Sequence, residues 1–305
     1  MGILYFLESI RNPVLDAFFS FITEFGGETF FLGAALFLYW CVDKRQGYYL
    51  MAVGFLGTLA NQFLKLTCRV PRPWVRDPNF TIVESAREGA SGYSFPSGHS
   101  QTSVGTFGVI ARENRNKWVR SLATALCVLV PLSRMYLGVH FLSDVLVGSG
   151  MALGFIALLR PVVYGKDGKY IPAMFGVMVL LALLFLAYTE LWPFPADIDP
   201  HNLESAVKNS YTLLGSLLGM IAAYYADQRW LRFPTEAPQN AQAVKVAVGA
   251  MLVLGVKAGL KAPLEALFGG HMVSRAVRYF LVVIVAGVIW PMTFRWFAGW
   301  GKKER

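Results

Sequence analysis

The chain has 305 residues, of which 55% are hydrophobic and only 15% are charged, and its mean hydropathy is +0.46. A soluble domain carries about 25% charged residues, so the composition excludes an ordinary soluble protein and predicts an integral membrane protein. The net charge of +9 does not indicate nucleic-acid binding, because the basic residues cluster in short loops between apolar runs, as topology requires of a membrane protein.

Apolar segments follow one another almost from end to end, and a spanning helix needs about 20 mostly apolar residues. Residues 3–24 are interrupted by charges and Pro13, which favours an amphipathic helix in the membrane interface, with a short additional span as the alternative. Spans are predicted at 28–43, 48–66, 97–112, 119–136, 139–160, 171–191, 206–226, 243–261 and 277–297. The predicted fold is all-α, a polytopic transmembrane helical bundle of about nine spans preceded by an N-terminal interfacial helix.

We predict a single membrane domain over residues 1–305. Within it, residues 1–27 form the interfacial segment, residues 28–160 form the catalytic core, and residues 161–305 add further C-terminal spans. The three cysteines are too few and too scattered for a disulfide framework or a zinc site.

The charges of the loops predict the orientation in the membrane. One set of loops carries most of the basic residues, namely Lys44, Arg45, Arg112, Arg115, Lys117, Arg120, Arg160, Lys166, Lys169, Arg229, Arg232, Lys302, Lys303 and Arg305. In the opposite set, the loop 192–205 has acidic residues and no lysine or arginine. Because excess lysine and arginine marks the cytoplasmic side, we expect the N-terminus outside and the C-terminus inside. A bacterial inner membrane with the site facing outward is expected, and the endoplasmic reticulum with a lumenal site is the alternative.

Three short motifs at the predicted outer ends of consecutive spans carry the chemistry. The first, Lys65-x6-Arg72-Pro73, places an ammonium and a guanidinium after the second span. Arginine binds phosphate oxygens through a planar fork, and lysine binds them as a point charge. Taken alone, this motif is also explained by side chains that snorkel to the membrane surface.

The second motif, Pro96-Ser97-Gly98-His99, immediately precedes an apolar run. Ser97 suits the N-cap position of a helix, and the free N–H groups at a helix start bind anions. Gly98 permits close approach of a phosphate to the backbone, and His99 then lies beside the anion. An ordinary helix cap with a structural histidine is the alternative.

The third motif, Ser133-Arg134-x5-His140-x3-Asp144, adds a third cation and a second imidazole. A spacing of four residues places His140 and Asp144 on the same face of a helix. The carboxylate can then hold the imidazole N–H and fix its tautomer, which leaves the histidine as a nucleophile. Ser133 is a further hydrogen-bond donor. A helix-end ion pair is the alternative, but it does not explain why three basic motifs share one side.

These motifs fill every position of the signature K-x6-RP, PSGH and SR-x5-H-x3-D, and over residues 65–144 the chain resembles the type 2 phosphatidic acid phosphatase superfamily. The resemblance implies a metal-independent phosphatase with no cofactor, which works through a phosphohistidine intermediate. It implies that His140 is the nucleophile, Asp144 its partner and His99 the acid. It also implies a phosphate cradle, made by Lys65, Arg72, Arg134, Ser97, Gly98 and Ser133. The nine spans are similar to the glucose-6-phosphatase and sphingosine-phosphate phosphatase branch.

The expected function is hydrolysis of a lipid phosphate or diphosphate on the extracytoplasmic side. Candidate substrates are undecaprenyl diphosphate, phosphatidic acid, phosphatidylglycerol phosphate and a sphingoid-base phosphate. The alternatives are a sugar-phosphate phosphatase of the glucose-6-phosphatase type and a lipid phosphotransferase, while the His140–Asp144 pair disfavours a non-catalytic phospholipid transporter. The expected partners are the lipid substrate and the bilayer, and the sequence leaves the oligomeric state and the organism open.

Two lysines of the C-terminal part fall outside these motifs. Lys257 and Lys261 lie near the outer end of the eighth predicted span. They either pair with a second phosphate or a lipid head group, as intramembrane charges often do, or snorkel to the interface.

Overall fold

The computed structural model describes residues 1–90 and 92–300, without the side chains of Lys166 and Asp167. Within these residues all regular structure is helical, as predicted, and loops with short 3₁₀ and π turns join the α-helices. In chain order the helices are α1 (Gly2–Ser9), α2 (Pro13–Glu24), α3 (Glu28–Phe37), α4 (Lys44–Cys68), α5 (Pro73–Arg76), α6 (Gly98–Glu113), α7 (Lys117–Tyr136), α8 (Leu142–Tyr164), α9 (Ile171–Leu191), α10 (Pro200–Ala226), α11 (Gln239–Gly259), α12 (Lys261–Leu267), α13 (Val273–Ile284) and α14 (Phe294–Gly299).

Five helical segments of the described residues are long and apolar enough to cross a membrane. They are Lys117–Tyr136, Leu142–Tyr164, Ile171–Leu191, Gln239–Leu267 and Val273–Gly299. A sixth results if α2 and the helical stretch Glu28–Val42, which meet at 48°, count as one bent span. Each of the nine predicted ranges contains a helix, but the number of nine spans and the N-terminal interfacial helix are not confirmed.

The helices α4 and α6 are not among these spanning segments, because they carry polar residues. Helix α6 has 16 residues and opens on polar ones, and α4 carries Asn61 and Lys65 near its end. Buried polar side chains on these two helices include Asn61, Ser100, Gln101, Ser103 and Thr106. The helices that carry the first two motifs are therefore not among the segments that are apolar enough to cross a membrane.

The chain forms two compact units, of which the first comprises Met1–Ala34, Tyr49–Gly165 and Pro193–Ala206. Apolar clusters hold α1 and α2 against α7 in this unit. Leu4 and Leu7 pack with Met135, and Ile22 packs with Leu126 and Val130. The first two helices are thereby fixed beside the helix that carries the start of the third motif.

Helix α6 packs against both α7 and α8, and glycines allow the close approach to α8. A Cβ atom at Gly148 would lie 2.5 Å from the carbonyl oxygen of Ser97, and one at Gly108 would lie 2.6 Å from Cδ1 of Ile156. A side chain at Gly148 would collide with the backbone, and one at Gly108 would require the Ile156 side chain to move. This packing holds the start of α6, with the second motif, against the start of α8, with the third.

The second unit comprises Ala35–Tyr48, Lys166–Trp192 and the chain from Val207 onward. Helices α10 and α13 approach closely at Gly219, where a Cβ atom would lie 2.9 Å from the carbonyl oxygen of Phe280. The buried ammonium of Lys245 donates to the carbonyl oxygen of Trp40 at 2.9 Å.

The single membrane domain predicted from the sequence stays a prediction. Of the basic residues used for orientation, Lys302, Lys303, Arg305 and the side chain of Lys166 lie outside the described part.

Candidate active site

His140 lies in the connection between α7 and α8 and is only 2% exposed. The helix predicted at 139–160 begins instead at Leu142, so His140 precedes the helix and does not share a face of it with Asp144. The chain turns at Gly138, whose φ of +82° lies in the left-handed region that favours glycine. Asp144 is in the first turn of α8, and its carboxylate accepts a hydrogen bond from the Phe141 N–H at 2.9 Å.

Both nitrogens of the His140 ring have polar neighbours. Nδ1 lies 3.3 Å from Oδ2 of Asp144, and Nε2 lies 2.9 Å from Nη1 of Arg72. A guanidinium can only donate, so Nε2 accepts and Nδ1 carries the proton that faces Asp144. Burial, reinforced by the neighbouring cations, holds the pKa of His140 well below its ordinary value. The ring is therefore neutral, with the lone pair of Nε2 directed at a cationic group.

Sequence reasoning missed Ser94, which is fully buried beside this pair. Its hydroxyl donates to Oδ2 of Asp144, and its Oγ lies 3.4 Å from Nδ1 of His140. The backbone N–H of Ser94 donates to the carbonyl oxygen of Val70 at 2.7 Å, which fixes the residue in place. A single serine just before the second motif carries no signal of its own, because its partner Asp144 lies 50 positions further along the chain.

Backbone carbonyls hold the two cations of the first motif. Arg72 donates from Nε to the carbonyl oxygen of Gly92 at 3.0 Å and from Nη1 to that of Val139 at 2.8 Å. Lys65, in the last turn of α4, donates from Nζ to the carbonyl oxygen of Tyr93 at 2.6 Å. Neutral carbonyls thus orient these two charges.

The guanidinium of Arg134 is 2% exposed and incompletely paired. Nη1 donates to Oγ1 of Thr23 on α2 at 2.8 Å, whereas the buried Nε has no hydrogen-bond partner. In the described part of the chain, no carboxylate lies within 4.0 Å of a charged nitrogen of Arg134 or Lys65. A buried cation with an unused N–H is costly unless an anion completes its bonding. This arrangement suits a bound phosphate.

The second motif forms the start of α6, as predicted. Ser97 is the N-cap, and its Oγ accepts from the Ser100 N–H at 3.3 Å. Asn61 of α4, which sequence reasoning missed, donates to the carbonyl oxygen of Pro96 at 3.2 Å and steadies the turn. A Cβ atom at Gly98 would meet nothing closer than 3.8 Å. The backbone there is open, so the N–H groups at the start of α6 can donate hydrogen bonds to an anion.

His99 lies at the same place and is only partly buried. Its imidazole makes no hydrogen bond within the described residues, and the cations that act on it are the three that act on His140, namely Lys65, Arg72 and Arg134. The structure therefore brings two imidazoles to one cationic space, with the His99 ring able to bond to a substrate.

Ser133, the remaining sequence-predicted phosphate ligand, is a fully buried residue of α7. Its hydroxyl donates to the carbonyl oxygen of Val130, one turn earlier in α7, at 2.6 Å. This local bond is common for serine inside a helix. This bond fixes the hydroxyl within α7, and the role of Ser133 as a phosphate ligand stays a prediction.

The acidic segment 193–206, which includes the first turns of α10, belongs to the same unit and packs beside the carbonyls that orient the two cations. The backbone N–H of Asp199 donates to the Tyr93 hydroxyl at 2.9 Å. At Gly92, whose φ is +70°, a Cβ atom would collide with the Asn202 side chain. This segment thus holds in place Gly92 and Tyr93, whose carbonyl oxygens accept hydrogen bonds from Arg72 and Lys65. No short sequence motif predicted this contact.

Two family models match the chain. Residues 45–167 match the PAP2 superfamily, and residues 211–303 match the PAP2 superfamily phosphatase, transmembrane extension. The first range contains all three motifs and every residue of the site except Thr23 and the segment 193–206.

Several characterised or named proteins are similar in sequence. Phosphatidylglycerophosphatase B of Bacillus subtilis is 33% identical over 175 residues, which cover 52% of this chain and 79% of that protein. A probable sphingosine-1-phosphate phosphatase of Dictyostelium discoideum is 28% identical over 58% of this chain and 47% of its own length. Lipid A 4'-phosphatase of Porphyromonas gingivalis is 29% identical over 49% of this chain and 66% of its own length. This chain thus spans less than two thirds of the last two. No solved structure matches it.

Proposed function

Because the chain belongs to the PAP2 superfamily, we propose that it is a membrane phosphatase that removes phosphate from a lipid through a phosphohistidine at His140. The observation that carries the proposal is the geometry of His140, whose Nδ1 lies 3.3 Å from Oδ2 of Asp144 and whose Nε2 lies 2.9 Å from Nη1 of Arg72. The three relatives are named for phosphatidylglycerophosphate, sphingosine 1-phosphate and lipid A, which favours a lipid phosphate as the substrate.

In the first half-reaction, Nε2 of His140 attacks phosphorus in line, so that an N–P bond forms and the P–O bond to the lipid breaks. Arg72, which donates to Nε2 in the structure, transfers that hydrogen bond to a phosphate oxygen. Lys65, Arg134 and the N–H groups at the start of α6 bind the other oxygens and stabilise their charge. His99 donates its proton to the departing oxygen.

In the second half-reaction, a water molecule attacks phosphorus while His99, now neutral, takes its proton. The N–P bond breaks, its electron pair returns to Nε2 of His140, and inorganic phosphate leaves. Asp144 stabilises the cationic ring and keeps the proton on Nδ1 throughout, while Ser94 holds the carboxylate. The three cations and the helix start supply charge stabilisation of the kind that a metal ion supplies elsewhere.

We expect the purified protein in detergent to release phosphate from a lipid substrate in the presence of excess EDTA. The panel contains undecaprenyl diphosphate, phosphatidic acid, phosphatidylglycerol phosphate, sphingosine 1-phosphate and, as a soluble monoester, glucose 6-phosphate. Loss of activity with EDTA would overturn the metal-independent mechanism. Release from glucose 6-phosphate alone would favour the sugar-phosphate alternative, and a phosphorylated product that requires an added acceptor would identify a transferase.

The proposed site faces the extracytoplasmic side, in a chain with nine spans, an interfacial N-terminal segment and its C-terminus inside. The uneven distribution of lysine and arginine between the loops supports this orientation. A bacterial inner membrane is the proposed location, in line with two bacterial relatives.

Cys68 offers a direct test of the orientation. It is exposed at the end of α4, three residues from Lys65, whereas Cys41 and Cys127 are partly buried. In a Cys41→Ala, Cys127→Ala chain, we expect a membrane-impermeant maleimide to label Cys68 in intact cells. In a chain without native cysteines, Arg115→Cys in the loop between α6 and α7 should label only after permeabilisation. The reverse pattern would place the site on the cytoplasmic side.

A further inference from the structure

Three cationic side chains of the second unit surround one aromatic ring. The Nζ of Lys257 on α11 lies 5.8 Å from the centroid of Tyr279, and the Cζ atoms of Arg275 and Arg278 on α13 lie 5.6 Å and 5.4 Å from it. The ring face attracts cations, but a single ring cannot neutralise three of them. None of these residues takes part in the proposed reaction at His140.

The charges of this cluster have no acidic partner in the part of the chain that the structure describes. No carboxylate lies within 4.0 Å of the charged nitrogens of Lys257, Arg275 or Arg278. Like charges held together at the edge of a membrane repel strongly, because the low dielectric screens them poorly. An anion between them would remove this repulsion.

The hydrogen bonding of the two arginines also leaves donors for a ligand. Arg278 is 7% exposed, and its buried Nε has no partner. Arg275 donates from Nε to Oγ1 of Thr212 at 2.7 Å, which fixes the guanidinium and makes no use of its terminal N–H groups. An unused donor on a buried guanidinium is expensive. Two forked guanidinium groups and one ammonium match the oxygens of a phosphate.

We propose that Lys257, Arg275 and Arg278 form a second anion site, which binds the phosphate of an anionic membrane lipid. The position favours a lipid, because Lys257 lies near the end of α11 and both arginines lie in the first turns of α13. Only 11% of the most apolar stretch of Gln239–Leu267, the segment that contains Lys257, is buried, so most of that stretch is accessible to lipid. Of the two lysines that stood out in the sequence, Lys257 belongs to the cluster through its cation–π contact with Tyr279.

The test measures binding of phosphatidylglycerol and phosphatidylcholine to the purified full chain in detergent, by native mass spectrometry. We expect preference for phosphatidylglycerol, and we expect Lys257→Gln and Arg275→Gln each to weaken its binding by about tenfold, as loss of a charge-assisted contact does. Arg229→Gln removes an equal charge from an exposed position of the same unit and should leave binding unchanged. Phosphate release by all three variants should stay at the level of the unmodified chain.

Equal binding of the two lipids, or unchanged binding in Lys257→Gln and Arg275→Gln, would overturn the proposal. Competition by inorganic phosphate shows whether the ligand is a lipid head group or the free ion. Displacement of the lipid only at high phosphate concentration supports the head group. Tight binding of phosphate alone would assign the site to the free ion and overturn the lipid assignment. Because Arg278 is buried, Arg278→Gln can disturb folding. Lys257 is only partly buried, so Lys257→Gln is the decisive variant. Because every variant keeps the residues around His140, failure here leaves the proposed phosphatase activity standing.

Discussion

Phosphate release should be lost when His140 is replaced by alanine. We expect His140→Ala to lower kcat by at least about 10⁴-fold, as for removal of a catalytic nucleophile. The cradle of Lys65, Arg72 and Arg134 would persist, because their bonds to Tyr93, Val139 and Thr23 do not involve the His140 ring. Phosphate release at saturating substrate, with KM measured in parallel, checks this expectation. KM should change far less than kcat.

The matched control for this variant is His271→Ala. His271 is exposed and belongs to the second unit, so its removal takes away an imidazole without touching the site. Its activity should equal that of the unmodified chain, and thermal unfolding of both variants should show intact folding. A folded His140→Ala protein that retains substantial activity would contradict the role of His140 as nucleophile. Radiolabelled substrate supplies an independent readout, because a phosphoryl group on histidine is acid-labile and should be absent from His140→Ala.

The second large effect is expected for Asp144→Asn, with a loss in kcat of about 10³ to 10⁴-fold. Oδ2 of Asp144 faces Nδ1 of His140 and also accepts from Ser94 and from the Phe141 N–H. An asparagine that turns its NH₂ group toward Nδ1 forces that nitrogen to accept, so the proton moves to Nε2. The nitrogen that attacks phosphorus then has no lone pair available, although the shape of the site is kept.

Ser94→Ala is the graded comparison for this variant. It removes one hydrogen bond to the carboxylate and leaves those from His140 and Phe141, so we expect a loss of about tenfold, equivalent to about 1.4 kcal/mol. Steady-state kinetics of the two variants checks the order of the effects. Equal losses would mean that the position of the carboxylate, and not the tautomer of His140, determines the rate. Full activity of Asp144→Asn would contradict the tautomer argument altogether.

The sequence alone determined the class of the protein and predicted the residues of its candidate site. Apolar runs of about 20 residues between short basic loops form few structures other than membrane helices. All regular structure in the described residues is helical. The motifs supplied the residue types in the right order, because a phosphate cradle needs cations, a helix start and an oriented imidazole. The N-cap at Ser97 followed from local chemistry alone.

Only the tertiary structure decided how these groups meet. Ser94, Asn61 and Thr23 touch the predicted residues across long stretches of chain, and no local pattern encodes such contacts. The tautomer of His140 depends on Arg72, which lies 68 positions earlier, and the hydroxyl of Ser133 donates to the carbonyl oxygen of Val130 in its own helix. Residue type and spacing follow from local interactions, whereas the direction of a buried side chain depends on whatever the fold packs against it.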